Sequence, residues 1–432
     1  MSIDLVARRR HDSKRGAMPI RPIIASCSVL TVLISGCGSG SPAAAKGPVT
    51  ACALFALTGV AAPYGKGRMD GVEAAAKVID NAGGVLGRKV NVLPVNTQSD
   101  PVDAVTATRK MLAVDGCNVV QGLTAADWPG ALPVIEQSHM VVFDEVADPT
   151  LDKVSNPYEF RGVASDGLEG AAMAVAAWHL GYRRVALAFQ AASDAQTLIP
   201  SLTGTASNLH LQIVANPSLP VNVPAYTAEV QTVVASHPDA ILMQLEPEPS
   251  GIFFRSLEAL GGSNIPVIVS DVGATAEWIK SVGSSITAKQ TVSVTPSAQT
   301  QGPGYSTFND TFSAMFGSSP LTYSASGYDS MMVAALAMDA AHSTDPAVYK
   351  NYVTQVTTPG TGIQTVYTYA DGAKLLSEGK RIKYFGIGSP MTYNANHDIT
   401  TSFAVVQVAT SGTQTVVWPE PASVIAQYLG SA

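Results

Sequence analysis

The stretch VTACALFAL at residues 49–57 decides the fold, because it is an apolar run of strand length with almost no polar alternation. Such a run predicts a strand that is buried on both faces, as in parallel sheets. Beyond it, Met69, Val72 and Ile79 recur at helical spacing, and Gly83-Gly84 can end that helix. The segment therefore predicts the first β-α unit of an α/β domain.

The same alternation of strand and helix continues outward along the chain. Pro94 has no N–H for a sheet ladder, so its strand belongs at a sheet edge, and Asp100-Pro101 predicts the start of a helix. A second run of β-α units begins after Arg161. Two such runs predict two doubly wound parallel-sheet lobes, with a ligand cleft between the carboxyl ends of their strands. Further strands are predicted at 90–95, 118–121, 140–143, 185–190, 211–214, 240–244 and 266–269.

The N-terminus has the pattern of an export signal. A basic region precedes the apolar stretch 23–34, whose 12 residues are too short for an ordinary membrane-spanning helix. The stretch ends in LISGC at 33–37, which resembles a bacterial lipobox. We therefore expect a signal peptide at 1–36, lipidation at Cys37 and a flexible tether at 37–47, which would anchor an extracytoplasmic protein to the bacterial cell membrane. The alternative is an ordinary signal peptide with an incidental cysteine.

The other cysteines bear on the redox state. Cys27 leaves with the signal peptide and Cys37 takes the lipid, so Cys52 and Cys117 remain. Both lie near the starts of strands that should be neighbours in one sheet. A single pair in an exported protein predicts a disulfide, and two buried free thiols are the alternative.

Composition and motifs exclude several function classes. The chain has 432 residues, 46% hydrophobic and 14% charged, as in a globular protein. Its net charge is −7 and no basic stripe follows the N-terminus, so nucleic acid is not an expected partner. No GxSxG, HExxH or GxxxxGK[ST] string occurs and the seven histidines are scattered. We therefore expect no enzyme activity, no cofactor and no metal.

Short strings in a fixed order resemble type I periplasmic binding proteins, in particular the leucine/isoleucine/valine-binding (amino-acid, amide and urea) branch. The resemblance implies two lobes joined by three crossings, near 162–165, 292–297 and 400–403. Lobe 1 is then expected at 48–164 and 295–400, and lobe 2 at 165–294 and 401–432. The strings are LTG at 57–59, PYG at 63–65, NAGGVLGR at 81–88, SDP at 99–101, DPTL at 148–151, FR at 160–161, PDAI at 238–241, GKRIKY at 379–384 and GSPMTYN at 388–394.

The resemblance also implies ligand contacts in the first lobe. Tyr64 falls on the family's first-lobe aromatic, although it could simply pack at the cleft rim. Ala125 stands where the family offers a hydroxyl, with Thr124 one position earlier. Trp128 could stack on a ligand or be a packed indole, and Asp127 before it is a good helix N-cap. Ala147 stands roughly where the family has a threonine, and Val146 beside it is a further expected ligand contact.

In the second lobe, the resemblance places an ammonium-binding acid at Asp271, which could instead cap a helix or form an interlobe salt bridge. Glu246 stands where the family often has an aromatic, and an exposed charged turn is the competing interpretation. In the first lobe, Asp144 and Glu145 would repel a carboxylate unless they point away or are paired. Among the amino-acid-like ligands that the resemblance implies, these acids favour an amine-bearing or cationic ligand over a simple branched-chain amino acid.

The function that the resemblance implies is solute capture. We expect a monomer that binds a small molecule by hinge closure and delivers it to an ABC permease and its ATPase, since the chain has no nucleotide-binding loop of its own. A sensory module of the same fold that reports to a membrane receptor is the first alternative. An exported enzyme is the second.

Overall fold

The computed structural model describes residues 47–59, 61–114, 116–153, 156–283, 291–299, 301–321, 323–409 and 414–429. The expected signal peptide, the lipidated Cys37 and the tether as far as residue 46 lie outside the described residues. The strands are β1 Val49–Phe55, β2 Val90–Asn96, β3 Val119–Gly122, β4 Val142–Asp144, β5 Glu159–Arg161, β6 Arg184–Phe189, β7 Gln212–Ala215, β8 Ala240–Gln244, β9 Val267–Val269, β10 Thr291–Pro296, β11 Gln364–Val366, β12 Ile382–Tyr384, β13 Phe403–Val408 and β14 Gln414–Glu420.

Helices alternate with most of these strands. They are α1 Ala62–Asn81, α2 Pro101–Val114, α3 Trp128–Ser138, α4 Asp166–His179, α5 Ser193–Gln196, α6 Ile199–Asn208, α7 Thr227–Ala235, α8 Pro247–Ala259, α9 Ala276–Val282, α10 Pro303–Phe316, α11 Ser324–Ala341, α12 Pro346–Val353, α13 Tyr369–Ser377 and α14 Ala422–Tyr428. In this part of the chain, no helix has the length and apolar character that crossing a membrane requires.

The first sheet has the strand order β2-β1-β3-β4-β5 and is parallel throughout. The strand that contains Pro94 lies at its edge, as predicted. In β1, Ala53 and Phe55 face the core beneath α1 and α11, whereas Cys52 and Leu54 face the core beneath α2 and α3. The apolar run at 49–57 is therefore buried on both faces, which explains its lack of polar alternation.

The second sheet has the order β14-β13-β10-β9-β8-β6-β7. Its five strands from β10 to β7 are parallel and repeat the order of the first sheet, whereas β13 and β14 add an antiparallel edge. The sequence did not predict this edge, because it comes from the last segment of the chain and not from a β-α unit. In addition, β10 extends to Pro296, two residues past the expected end of that lobe segment at 294.

The chain passes between the two sheets three times, after β5, after β10 and before β13. The crossings are hydrogen-bonded to each other: Arg161 N donates to His397 O at 3.0 Å, and Ser297 N donates to Ser402 O at 2.8 Å. Three adjacent backbone segments can bend together while each lobe stays rigid. The predicted fold class, two doubly wound lobes joined by three crossings, is confirmed.

Cys52 and Cys117 form a disulfide in the structure, with their Cα atoms 5.7 Å apart. Cys52 lies in β1, and Cys117 lies two residues before the start of β3, which pairs with β1. The bond therefore joins the middle of β1 to the segment that leads into the amino end of β3, away from the carboxyl ends where ligands bind in such sheets.

Candidate functional site

The candidate site lies where the carboxyl ends of both sheets meet. In each sheet the strand order reverses beside the first strand of the lobe, which is where doubly wound proteins bind ligands. Tyr64 follows β1, Glu246 follows β8 and Asp271 follows β9. The structure thus brings three of the predicted site residues, one from lobe 1 and two from lobe 2, to the same interlobe gap.

Two phenol–carboxylate hydrogen bonds cross this gap. The Tyr64 hydroxyl donates to Glu246 Oε2, and the Tyr323 hydroxyl donates to Asp271 Oδ2 at 3.0 Å. The two tyrosine rings pack edge to face, with centroids 5.8 Å apart. Burial is the largest cause that raises the pKa of Tyr64 and Tyr323, and the neighbouring carboxylates raise it further, so both phenols remain protonated donors.

Arg68 lies one helical turn after Tyr64, on the same face of α1. Its guanidinium carbon lies 4.3 Å from the centroid of the Tyr323 ring, a cation–π contact. Its Nε donates to Glu145 Oε2 at 2.5 Å, and the Ser326 hydroxyl donates to the same oxygen at 2.6 Å. Burial raises the pKa of Glu145, and the Arg68 charge opposes that rise.

Close packing between α1 and α11 fixes the backbone of Arg68. A Cβ on Gly327 would lie 2.3 Å from the Arg68 carbonyl oxygen, and a Cβ on Gly71 would lie 2.0 Å from the Ser324 carbonyl oxygen. Only glycine allows the two helices to approach so closely. Tyr323, which immediately precedes α11, has a positive φ of 62°, a conformation that is uncommon outside glycine and often found at functional sites.

Two acids of the second lobe lie side by side at the gap. Glu169, in the first turn of α4, accepts a hydrogen bond from the Asp271 backbone N–H at 2.7 Å. Burial is the largest cause that raises the pKa of both carboxyl groups, and the charge of Asp271 raises that of Glu169 further. Neither acid has an ion pair with a lysine or arginine among the described residues. A cationic group placed here would offset both the energetic cost of burying the two carboxylates and the repulsion between them.

The predicted site residues in the loop after β3 differ in their burial and in their contacts. Thr124 is buried, and its N–H and hydroxyl donate to Asp127 Oδ1 at 2.6 and 3.4 Å. Asp127 occupies the N-cap position of α3, as predicted, but its side chain accepts from the Thr97 hydroxyl at 2.6 Å and does not cap an N–H of α3. Ala125 is exposed, and Trp128 packs against the core beneath α2 and α3.

The loop after β4 separates its two acids. Asp144 turns away from the gap and accepts from the Val146 N–H at 3.0 Å, while Glu145 pairs with Arg68. Val146 is completely buried, so neither its side chain nor its N–H is open to a ligand in this structure. Ala147 accepts through its carbonyl oxygen from Asp166 N at 2.8 Å, at the first crossing.

A second buried arginine lies at the hinge. Arg161 pairs with Asp152 at 2.6 Å and with Asp398 at 3.3 Å, which links the first and third crossings. Asp152 also accepts from the hydroxyl of Ser165, the N-cap residue of α4, at 2.8 Å. Burial raises the pKa of the nearby Asp144 to about 7, although Arg161 opposes the rise.

Sequence reasoning missed four residues of the gap: Arg68, Glu169, Tyr323 and Ser326. The helix was expected from Met69 onward, whereas α1 begins at Ala62, and the i, i+4 spacing of Tyr64 and Arg68 has meaning only in that longer helix. No motif marks Tyr323.

Within the described ranges, no three His, Cys, Asp or Glu side chains are grouped to hold a metal ion. The gap instead offers donors from lobe 1 and carboxylates from lobe 2, which suits reversible binding of a polar solute.

A family model described as "Periplasmic binding protein" matches residues 48–413 of the chain. Among curated proteins, the chain is similar to the Leu/Ile/Val-binding protein homolog 3 of Brucella melitensis, with 29% identity over 137 residues. That match covers 31% of this chain and 37% of the relative, so it spans well under half of the curated protein.

Solved structures with the same fold cover almost the whole described chain. The leucine-binding protein LivK of Thermotoga maritima has a TM-score of 0.71 and 18% identity, over 86% of this chain and 99% of that one. The branched-chain amino acid transporter substrate-binding protein LivJ of Streptococcus pneumoniae, solved with isoleucine, has a TM-score of 0.70 and 17% identity, over 87% and 99%. At such identities the likeness shows the fold alone.

Proposed function

The chain belongs to the periplasmic binding protein family, and from that premise we propose that it captures an amino-acid-like or amine-bearing small molecule for an ABC importer. The observation that carries the proposal is the pair of phenol–carboxylate hydrogen bonds between the lobes, from Tyr64 to Glu246 and from Tyr323 to Asp271. These contacts exist only when the lobes are together, and they lie where both sheets present their carboxyl ends.

The proposed mechanism is hinge closure on the solute. The solute docks on lobe 1, and its amine then meets Asp271 and Glu169 when lobe 2 closes. A charge-assisted hydrogen bond to a carboxylate is stronger than one from a neutral phenol, so the solute favours the closed form more than the Tyr323 contact does by itself. A micromolar affinity needs only about 8 kcal/mol of net binding free energy.

A binding screen tests this proposal directly. Purified protein is titrated by calorimetry with L-leucine, L-isoleucine, L-valine, basic amino acids, polyamines, amides and aromatic acids. We expect at least one amine-bearing compound to bind, and Asp271→Asn to weaken that binding at least tenfold. Glu258→Gln, at an exposed acid of α8 in the same lobe, is the matched control and should leave it unchanged. Selective binding of an anionic or uncharged compound, or of none, would contradict the proposal.

We also propose that the protein is exported, lipidated at Cys37 and monomeric. The LISGC string at 33–37 and the Cys52–Cys117 bond support export, because such bonds persist in oxidising compartments. Intact mass of the protein from membranes of a bacterial host should show an N-terminus at Cys37 with acyl chains and two hydrogens fewer than the dithiol. A soluble, unacylated product would contradict lipidation at Cys37. A free thiol at Cys52 would contradict the disulfide and the support that it gives to export.

The importer role needs a cellular test. Deleting the gene should abolish uptake of the compound that binds in the screen, and a copy with Asp271→Asn should restore much less uptake than a copy with Glu258→Gln. Unchanged uptake in the deletion strain, alongside tight binding by the purified protein, would favour the sensory alternative.

A further inference from the structure

We infer that Arg68 receives a carboxylate of the solute, so that the site selects amino acids over amines that lack a carboxylate. This inference rests on the proposed function and narrows its ligand class. The Nε of Arg68 donates to Glu145, but in the described part of the chain neither Nη1 nor Nη2 donates a hydrogen bond. A guanidinium has five N–H donors, so the four N–H groups on Nη1 and Nη2 remain available to a ligand.

These two nitrogens face solvent at the gap although the side chain is mostly buried. Only 9% of the Arg68 side chain is exposed, yet both Nη atoms, which have no hydrogen-bond partner in the described part of the protein, retain some solvent-exposed surface. Both nitrogens therefore keep contact with water. The two terminal nitrogens of a guanidinium match the two oxygens of a carboxylate, with which they can form a bidentate pair.

The surroundings hold the guanidinium in one orientation before a solute arrives. Glu145 bonds its Nε, Ser326 fixes Glu145, and the Tyr323 ring lies over its plane. The backbone of Arg68 packs closely against Gly327 of α11. A donor that is already fixed loses little entropy when it binds a ligand.

The residues that the sequence placed on the lobe 1 wall do not offer the same chemistry. Ala125, Val146 and Ala147 carry no hydroxyl, the Val146 N–H bonds to Asp144, and Thr124 donates to Asp127. Across the gap the polar groups are acids, with Asp271 and Glu169 adjacent. A cation on lobe 1 and carboxylates on lobe 2 complement a zwitterion that lies between them.

The test combines a change in the protein with the matching change in the ligand. Wild type, Arg68→Gln and Arg68→Lys are titrated by calorimetry with the twenty L-amino acids and with two decarboxylated counterparts, 3-methylbutylamine for leucine and cadaverine for lysine. For any other amino acid that binds best, its own decarboxylated amine is used. Arg109→Gln, at an exposed arginine of α2 in the same lobe, is the matched control.

We expect wild type to bind the amino acid at least tenfold more tightly than its amine, and Arg68→Gln to lose at least tenfold for the amino acid but little for the amine. Arg68→Lys should be intermediate, and Arg109→Gln should behave as wild type. Equal affinity of wild type for the amino acid and its amine would overturn the inference. Equal losses for both compounds in Arg68→Gln would also overturn it, because Arg68 would then be only a structural partner of Glu145.

The result separates this inference from the proposed function. Binding of an amine-bearing compound without dependence on Arg68 would leave solute capture standing and remove only the carboxylate contact. No binding by any compound to wild type would remove both. If Arg68→Gln does not fold, as judged by circular dichroism, the wild-type comparison of the amino acid with its amine still decides the outcome.

Discussion

Arg68 and Arg161 are both buried and both collect carboxylates, but they serve different parts of the molecule. The division begins with two consecutive residues at the end of β4. Asp144 turns toward Arg161 at the hinge, and Glu145 pairs with Arg68 at the gap. The difference between the two arginines is access to solvent. Nε and Nη2 of Arg161 have no hydrogen-bond partner but are sealed inside the hinge, whereas the Nη groups of Arg68 keep contact with water.

The role of a buried arginine therefore depends on the solvent access of its nitrogens as well as on its ion pairs. Arg161 pairs with Asp152 and Asp398, and its charge stabilises acids that a closed interior would otherwise neutralise. Arg68 has one such pair and leaves two nitrogens for another partner. The first arrangement supports the hinge, and the second is open to a solute.

The largest effect that we expect is on stability at the hinge. Arg161→Gln should lower the free energy of unfolding by about 3–5 kcal/mol, because two carboxylates, those of Asp152 and Asp398, lose one shared and buried cation. Arg68→Gln should cost less, about 1–3 kcal/mol, because Gln can still donate to Glu145 and Ser326 already does. Urea unfolding with Arg109→Gln as the control measures both. A loss in Arg68→Gln as large as that in Arg161→Gln would remove the distinction between the two clusters.

The fold could be predicted from the sequence because it depends on long apolar runs and on turn residues. The run at 49–57 indicated a strand buried on both faces, and Pro94 indicated the sheet edge; both are observed. The antiparallel edge of β13 and β14 was missed, because two strands without an intervening helix carry no β-α signal.

The site was predicted only in part. Tyr64, Glu246 and Asp271 were indicated by position after strands and by resemblance, and the structure brings them together. The directions of Asp144 and Glu145 could not be predicted, because they depend on partners more than 15 residues away in sequence, such as Arg68 and Arg161. Tertiary pairing of this kind leaves no local pattern.

The next effect is a dependence of stability on pH, to which buried acids near the hinge contribute. Burial raises the pKa of Asp144 to about 7 and that of Glu159 to about 8, from ordinary values of 3.8 and 4.5; nearby Asp144 and Glu136 add to the rise for Glu159, and Arg161 opposes it for both. The folded protein therefore binds more protons than the unfolded chain between about pH 4 and pH 8. The free energy of unfolding should fall by about 1–3 kcal/mol as pH rises through this window.

Glu159→Gln tests this source of the pH dependence. Asp329 and Glu420, whose pKa values burial raises to about 7 and about 9, contribute with the same sign and remain in the variant. The slope of stability against pH should therefore become shallower but not vanish, and the affinity for the solute should not change. Glu258→Gln should keep the wild-type slope. An unchanged slope in Glu159→Gln would place the proton uptake elsewhere.

The smallest effect on stability, and the most specific, is expected at the gap. Tyr323→Phe keeps the ring over Arg68 but removes the hydrogen bond to Asp271, which should cost at most about 1 kcal/mol. The matched variant is Tyr384→Phe, which removes a phenol–carboxylate bond of 2.8 Å to Asp329 inside lobe 1. Of these two bonds, the one from Tyr323 joins the lobes and the one from Tyr384 does not, so only the Tyr323 variant should shift the unliganded protein toward an open form.

Small-angle X-ray scattering of the unliganded proteins distinguishes these cases. The radius of gyration should increase in Tyr323→Phe and stay at the wild-type value in Tyr384→Phe, even though Tyr384→Phe can cost more stability because Asp329 is completely buried. A larger radius in both variants would mean that loss of stability, and not loss of the interlobe contact, opens the protein. A larger radius in neither would mean that the Tyr323 bond does not hold the lobes together. The first result alone ties lobe closure to a contact that a solute amine can replace, because Asp271 is the acceptor in both.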